Sequence, residues 1–289
     1  MICTLCPRRC GAERTAEAGG GFCRMPAGLR VAQAMLHRWE EPPISGRNGA
    51  GTVFFSGCTL GCVYCQNGDI SAGGFGKDIS TARLREIFEE LIGQGAHNIE
   101  LVTPTHFLPW ILPALTPRLP VPVVYNCGGY ERVETLRTLE GLVDVYLPDL
   151  KYADGTLAAA LSGAADYFPV ACQAIREMFR QVGPYVLEDG LLTRGVVIRH
   201  LVLPGYLDNT RQVLDWIAET FGPGDVLVSL MSQYTPTNNM TGRMARRVTA
   251  AEYRAAAAYM RNCGITDGFV QERTSAEEAY TPAFDGQGV

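Results

Sequence analysis

The sequence contains no apolar run approaching the roughly 20 residues that span a bilayer. Its opening, Met1-Ile2-Cys3-Thr4-Leu5-Cys6, lacks a charged segment followed by an apolar one. The expectation is a cytoplasmic protein with no membrane partner. No block of like charge occurs, the net charge is −5, and the isoelectric point is about 5.5. That excludes the basic stripe of a nucleic-acid binder. There is no internal repeat and no low-complexity segment, so solenoid and disordered architectures drop out too.

What remains is a chain of 289 residues, 47% hydrophobic and 19% charged, long enough for a sizeable core. It is rich in cysteine: ten in all, seven of them within the first 65 residues. In a reducing compartment disulfides are disfavoured, and metal ligation becomes the leading explanation. Cys127, Cys172 and Cys263 are scattered and read as small buried hydrophobes.

From residue 52 onward, strand-like and helix-like patterns alternate. Strands are expected at 52–55, 99–103, 121–126, 143–147, 196–203 and 226–230, with a weaker one at 268–271. Leu84, Ile87, Phe88, Leu91 and Ile92 recur at i, i+3, i+4, i+7 and i+8, one face of a helix that Gly93 and Gly95 can end. Further helices are expected at 133–142, 168–182 and 211–221. A last one starts at Thr249, with Glu252 completing a capping box, and stops near Gly264. Strands spaced by helices imply a parallel sheet, as an incomplete (β/α) barrel or a doubly wound open sheet. Either architecture gathers functional groups at the C-terminal strand ends. Residues 1–50 do not fit the alternation and read as a cysteine-rich metal-binding segment before an α/β domain over 51–289.

After the first strand comes Gly57-Cys58-Thr59-Leu60-Gly61-Cys62-Val63-Tyr64-Cys65-Gln66-Asn67, a C-x3-C-x2-C loop. Three thiolates this close can each ligate one iron of a cubane and leave the fourth iron open to a non-protein ligand. Zinc, or a four-cysteine cluster completed from elsewhere, also suits soft thiolates. The N-terminal Cys3, Cys6, Cys10 and Cys23, spaced C-x2-C-x3-C-x12-C among turn-forming residues, suit a structural zinc site that supplies folding energy. A second iron–sulfur cluster is the alternative.

The Cys58–Asn67 loop resembles the signature of the radical S-adenosylmethionine (SAM) superfamily. That resemblance implies a partial parallel (β/α)6 barrel and a [4Fe–4S] cluster on Cys58, Cys62 and Cys65. It implies SAM bound at the open iron and cleaved reductively, with Tyr64 against the adenine and Asn67 near the ribose or the cluster loop. Over residues 51–271 the chain further resembles the activating enzymes of glycyl-radical enzymes. Asp149-Leu150-Lys151 stands where these carry a cofactor-contacting Asp-x-Lys, and Arg199 in Val197–Gly205 matches their fifth-strand segment. For His200 the expected role is a hydrogen-bonded strand histidine. The chain departs from the activases at three strand ends. Thr103-Pro104-Thr105-His106 replaces their Gly-Gly-Glu, so the hydroxyls of Thr103 and Thr105 stand in for a carboxylate at the methionine amino group. Asn126 replaces an aspartate, and Gln233 a histidine. Together with Trp39-Glu40-Glu41-Pro42-Pro43-Ile44-Ser45-Gly46, these features resemble the pyruvate-formate-lyase-activating-enzyme-like (PflX-type) branch.

The expected function is therefore hydrogen abstraction by a 5′-deoxyadenosyl radical. The expected partners are a reductant such as flavodoxin or ferredoxin, and a glycyl-radical enzyme as substrate. The alternatives are a radical SAM enzyme acting on a small molecule, peptide or other macromolecule, and a binding protein whose cysteines are only structural.

Overall fold

Val53, Phe54 and Phe55 lie in a strand whose six residues are all buried, the pattern of a parallel strand covered on both faces. This strand starts the alternation in the computed structural model, which describes residues 2–17, 19–237, 240–271 and 282–289. The N-terminal half contains β1 (Leu29–His37), α1 (Pro42–Ser45), β2 (Ala50–Phe55), α2 (Gly68–Ser71), β3 (Lys77–Ile79), α3 (Thr81–Gly93), β4 (Ile99–Val102), α4 (Leu108–Ala114), β5 (Val123–Cys127) and α5 (Val133–Leu136). The second half adds β6 (Val145–Pro148), α6 (Gly155–Ser162), α7 (Tyr167–Val182), β7 (Val186–Glu188), β8 (Leu191–Leu201), α8 (Leu207–Thr220), β9 (Leu227–Met231), α9 (Ala250–Asn262) and β10 (Gly268–Val270).

These strands form one sheet in the order β10-β9-β8-β6-β5-β4-β2-β1-β3, with β7 hairpinned onto β8. From β2 to β10 every neighbour on that path is parallel. The expected (β/α)6 core is therefore present, with β10 as a short seventh strand. β1 adds antiparallel to β2, placing Ala34 opposite Val53 and Leu36 opposite Gly51. The sheet thus continues across residue 50. Segment 282–289 lies along this edge: Ala34 N–H donates to Gln287 O at 3.0 Å, and Phe284 meets Phe54 edge-on at 5.4 Å.

Helices cover the sheet through the expected faces. In α3, Leu84, Ile87, Phe88 and Leu91 are buried and Ser80 caps the N-terminus; each buried side chain contributes roughly 1.5–3 kcal/mol. The capping box at Thr249 and Glu252 is formed. The expected helix at 133–142 instead breaks into α5 and a 3-10 turn at Arg137–Leu139.

Candidate functional site

β2 ends in Ser56-Gly57 and turns at once into the three-cysteine loop. Gly57 and Gly61 have φ of +76° and +67°, a conformation other residues rarely adopt. The turns they permit bring Cys58, Cys62 and Cys65 to one wall of a cavity of about 270 Å³ at the C-terminal ends of the parallel strands. Each sulfur accepts at least one hydrogen bond. Leu60 N–H donates to Cys58 Sγ at 3.3 Å, the Ser162 hydroxyl to Cys62 Sγ at 3.1 Å and the Ser71 hydroxyl to Cys65 Sγ at 3.5 Å. Such donors orient metal-bound thiolates and tune their potential. Burial pushes the Cys58 thiol up to about 12, with the neighbouring Cys62 adding to the effect, and burial also raises Cys65. A metal core with positive charge is what ionises thiols in such a place.

Among the described residues, no group of three or more His, Cys, Asp or Glu is drawn in closely enough to hold a metal ion. Three thiols of one loop facing one cavity fit the three protein ligands of a cubane with an open iron. The four N-terminal cysteines are neighbours of one another as well. Cys6, pushed up to about 12 chiefly by burial, also feels Cys23 and Cys3, and Cys23 feels Cys3 and Cys10. Cys3 and Cys6 are buried, and Cys10 is exposed.

In the same cavity, Asn126, Asp149, Lys151, Arg199 and Gln233 rise from the ends of β5, β6, β8 and β9. Asp149 takes Lys151 Nζ at 2.6 Å on one oxygen and Arg199 Nε at 2.9 Å on the other. Burial alone raises the Asp149 pKa, but Arg199 and Lys151 outweigh it and hold the carboxyl below its usual range. Arg199 continues to Asn126 Oδ1 at 2.6 Å and to Glu40 Oε2 at 3.2 Å. His200 points away from the cavity, bonded to Leu150 O at 2.7 Å and to the Thr210 hydroxyl at 3.0 Å.

Tyr64 and Asn67 line the same cavity. The Tyr64 hydroxyl is hydrogen-bonded to that of Tyr152 at 2.7 Å, and Tyr152 to Ser162 at 2.7 Å. This places the phenol in the core and leaves the ring at the wall. Thr103 also faces the cavity, with φ of +58°, a strained conformation for a β-branched residue. Thr105 does not reach it, which corrects the expectation for that hydroxyl. It sits in a 3-10 turn at 1% exposure, donating to Glu131 Oε1 at 2.8 Å and accepting from Tyr125 at 2.9 Å. The chain leaves β4 through Thr103 and turns Thr105 under the strand end.

His37, Trp39, Glu40 and Glu41 belong to the same cavity wall, and sequence reasoning gave them no role there. The signal that could have found them is a pair of carboxylates beside a tryptophan, followed by Pro42-Pro43, in an otherwise cysteine-rich segment.

Beneath the network, Glu100 is enclosed, accepting from Thr52 and Asn126 at 2.7 Å each. Burial is the main cause that pushes its pKa up from an ordinary 4.5 to about 8. A carboxyl held above its unfolded value binds protons more tightly when folded, so its contribution to stability falls as pH rises through that window. Glu100→Gln is expected to gain on the unchanged protein between about pH 5 and about pH 9, read as urea midpoints. Equal gaps at both ends of that range would contradict the assignment.

No family model matches the sequence. It is 32% identical over 246 residues to an uncharacterized protein of Methanocaldococcus jannaschii, MJ0674, covering 81% of this chain and 66% of the relative. Among solved structures, Streptococcus suis SuiB bound to its precursor peptide SuiA superposes with a TM-score of 0.54 at 13% identity, over 75% of this chain and 46% of SuiB. HydG, a maturase of the [FeFe]-hydrogenase, gives 0.53 at 14% identity over 80% and 54%. Methylornithine synthase gives 0.50 at 13% over 74% and 61%. The chain therefore shares the (β/α) barrel fold of these solved structures, and spans 46–61% of their length and just under two thirds of the curated relative.

Proposed function

We propose that this chain is a radical SAM enzyme, with Cys58, Cys62 and Cys65 holding a [4Fe–4S] cluster and the β5–β9 strand ends holding SAM. One observation carries the reading: three thiols on the loop after β2 share a cavity with the Asp149–Lys151–Arg199–Asn126 network. The cluster and SAM, when bound, supply a 5′-deoxyadenosyl radical for hydrogen abstraction.

The chain's own residues bind and orient. Lys151 and Arg199 are fixed by Asp149 before a ligand arrives, so little ordering entropy is lost on binding. Asn126 and Gln233 offer amides to ribose or amino-acid groups, and the strained Thr103 lines the cavity beside them. Glu40, which accepts from Arg199 Nη1 at 3.2 Å, offers a carboxylate to a cationic group in the cavity that Thr103 also lines. Tyr64 presents a flat, apolar wall suited to a purine.

For substrate, the reading we favour is a glycyl-radical enzyme, as for the activating enzymes that the chain resembles. Trp39 stands in the cavity wall at 63% exposure and Val63 projects from the cysteine loop at 51%, an apolar rim that suits a macromolecule. A flavodoxin or ferredoxin is the proposed reductant. The altered Thr103–His106 corner favours a second reading, in which the substrate is a small molecule or a peptide unrelated to glycyl radicals.

The test is anaerobic reconstitution with iron and sulfide, reduction with dithionite and assay for 5′-deoxyadenosine and methionine. Production of both is expected, and production of neither by iron-loaded protein would end the reading. A glycyl radical seen by electron paramagnetic resonance in a co-incubated glycyl-radical enzyme separates the two substrate classes. SAM cleavage without that radical transfers the assignment to the second.

A further inference from the structure

We infer that Arg8 is a positioning residue for the three-cysteine loop, through which the N-terminal cysteine segment becomes that loop's outer wall. Arg8 lies between Cys6 and Cys10 in the sequence, yet its guanidinium reaches across to the barrel. Nε donates to Thr59 O at 3.0 Å and Nη2 to Leu60 O at 2.9 Å, both residues lying between Cys58 and Cys62. Nη2 also donates to Ser162 O at 2.6 Å, and Nη1 to Gly163 O. These last carbonyls end α6, where a helix leaves acceptors without backbone partners and favours a cation.

One planar cation thus ties the cysteine loop to the residue whose hydroxyl donates to Cys62 Sγ. Phe22 holds it from behind, with the guanidinium carbon 3.9 Å from the ring centre. The same segment closes on the loop's glycines. A Cβ on Gly57 would meet Met25 at 2.5 Å and the Cys23 carbonyl at 2.9 Å, and one on Gly61 would meet Phe22 at 3.1 Å. The N-terminal cysteines and the loop cysteines are therefore two faces of one packed unit.

Two effects follow. The clamp keeps the loop closed whether or not metal is bound. It also places a fixed positive charge beside the site that gains an electron on reduction, and this second effect rests on the radical SAM reading above. Lysine at position 8 keeps the charge but cannot span four carbonyls from a planar fork.

The experiment compares the full-length chain with Arg8→Met and Arg8→Lys, and with Arg132→Met as control. Arg132 also reaches the N-terminal segment, through Thr4 O, but makes no bond to the cysteine loop. In metal-free protein, maleimide labelling of Cys58, Cys62 and Cys65 is mapped by mass spectrometry. Arg8→Met is expected to label at least about tenfold faster, equivalent to about 1.4 kcal/mol of loop closure. Arg8→Lys falls between, and Arg132→Met matches the unchanged protein. After reconstitution the midpoint potential moves more negative in Arg8→Met and stays nearer the original in Arg8→Lys.

Unchanged labelling in Arg8→Met, or equal acceleration in Arg132→Met, overturns the inference. If Arg8→Met does not fold, Arg8→Lys decides by the same labelling comparison. Faster labelling in a protein that never takes up iron removes the radical SAM reading and leaves the clamp standing.

Discussion

Cys62→Ala is expected to lose reductive SAM cleavage to the background and to retain little cluster iron after reconstitution. The sulfur is one of three on a loop that reaches the cavity as a unit, so its loss leaves a second iron without a protein ligand. The effect should exceed the roughly 10–100-fold that outer-shell changes cost a metal site. Its structural cost is small: Cys62 is only half-buried, and the Ser162 hydroxyl that donates to it keeps its bond to Tyr152 at 2.7 Å. The urea midpoint of the metal-free variant should therefore match that of the unchanged chain. Iron content, the cluster's electron paramagnetic resonance signal and 5′-deoxyadenosine yield measure the loss. Full 5′-deoxyadenosine yield in the variant would remove Cys62 from the ligand set.

Asp149→Asn is expected to combine a large loss of stability with a loss of SAM affinity. The replacement is close in shape but removes the charge that compensates Lys151 and Arg199, whose side chains are 16% and 13% exposed. Breaking one partner out of such a group costs roughly 3–5 kcal/mol. The low end applies because Arg199 keeps Glu40 at 3.2 Å. The pH dependence has a definite sign. With its folded pKa held below an ordinary 3.8, Asp149 stabilises the fold above that value, and the contribution disappears as pH falls through the folded pKa. The gap in urea midpoint between the two proteins should be full near neutrality and close in strong acid. A gap that persists in acid would assign the loss to shape rather than charge.

The parallel core and the cysteine loop were legible because their signals are local. Strand β2 is a short apolar run, α3 repeats its buried positions on one face, and Thr249 with Glu252 caps α9 within four residues. The C-x3-C-x2-C spacing places three sulfurs on one loop whatever the rest of the chain does. Asp149, Lys151 and Arg199 were singled out through family resemblance, and the fold brings them together where strand ends converge. Thr105 was misplaced because Thr103 and Thr105 look equivalent in sequence. Only the turn taken at Thr103, at φ of +58°, leaves Thr103 in the cavity wall and buries the Thr105 hydroxyl against Glu131 and Tyr125.

By itself the sequence determined the alternation of strands and helices, the side of the sheet where chemistry gathers, and the sulfur donors offered there. The tertiary structure alone decided which distant groups complete the site. Glu40 meets Arg199 across 159 positions of sequence, and Arg8 meets Ser162 across 154. Neither meeting has a period or a motif. Both arise because β1 joins the edge of the sheet and carries the chain's first residues, with their charges, onto the mouth of the barrel.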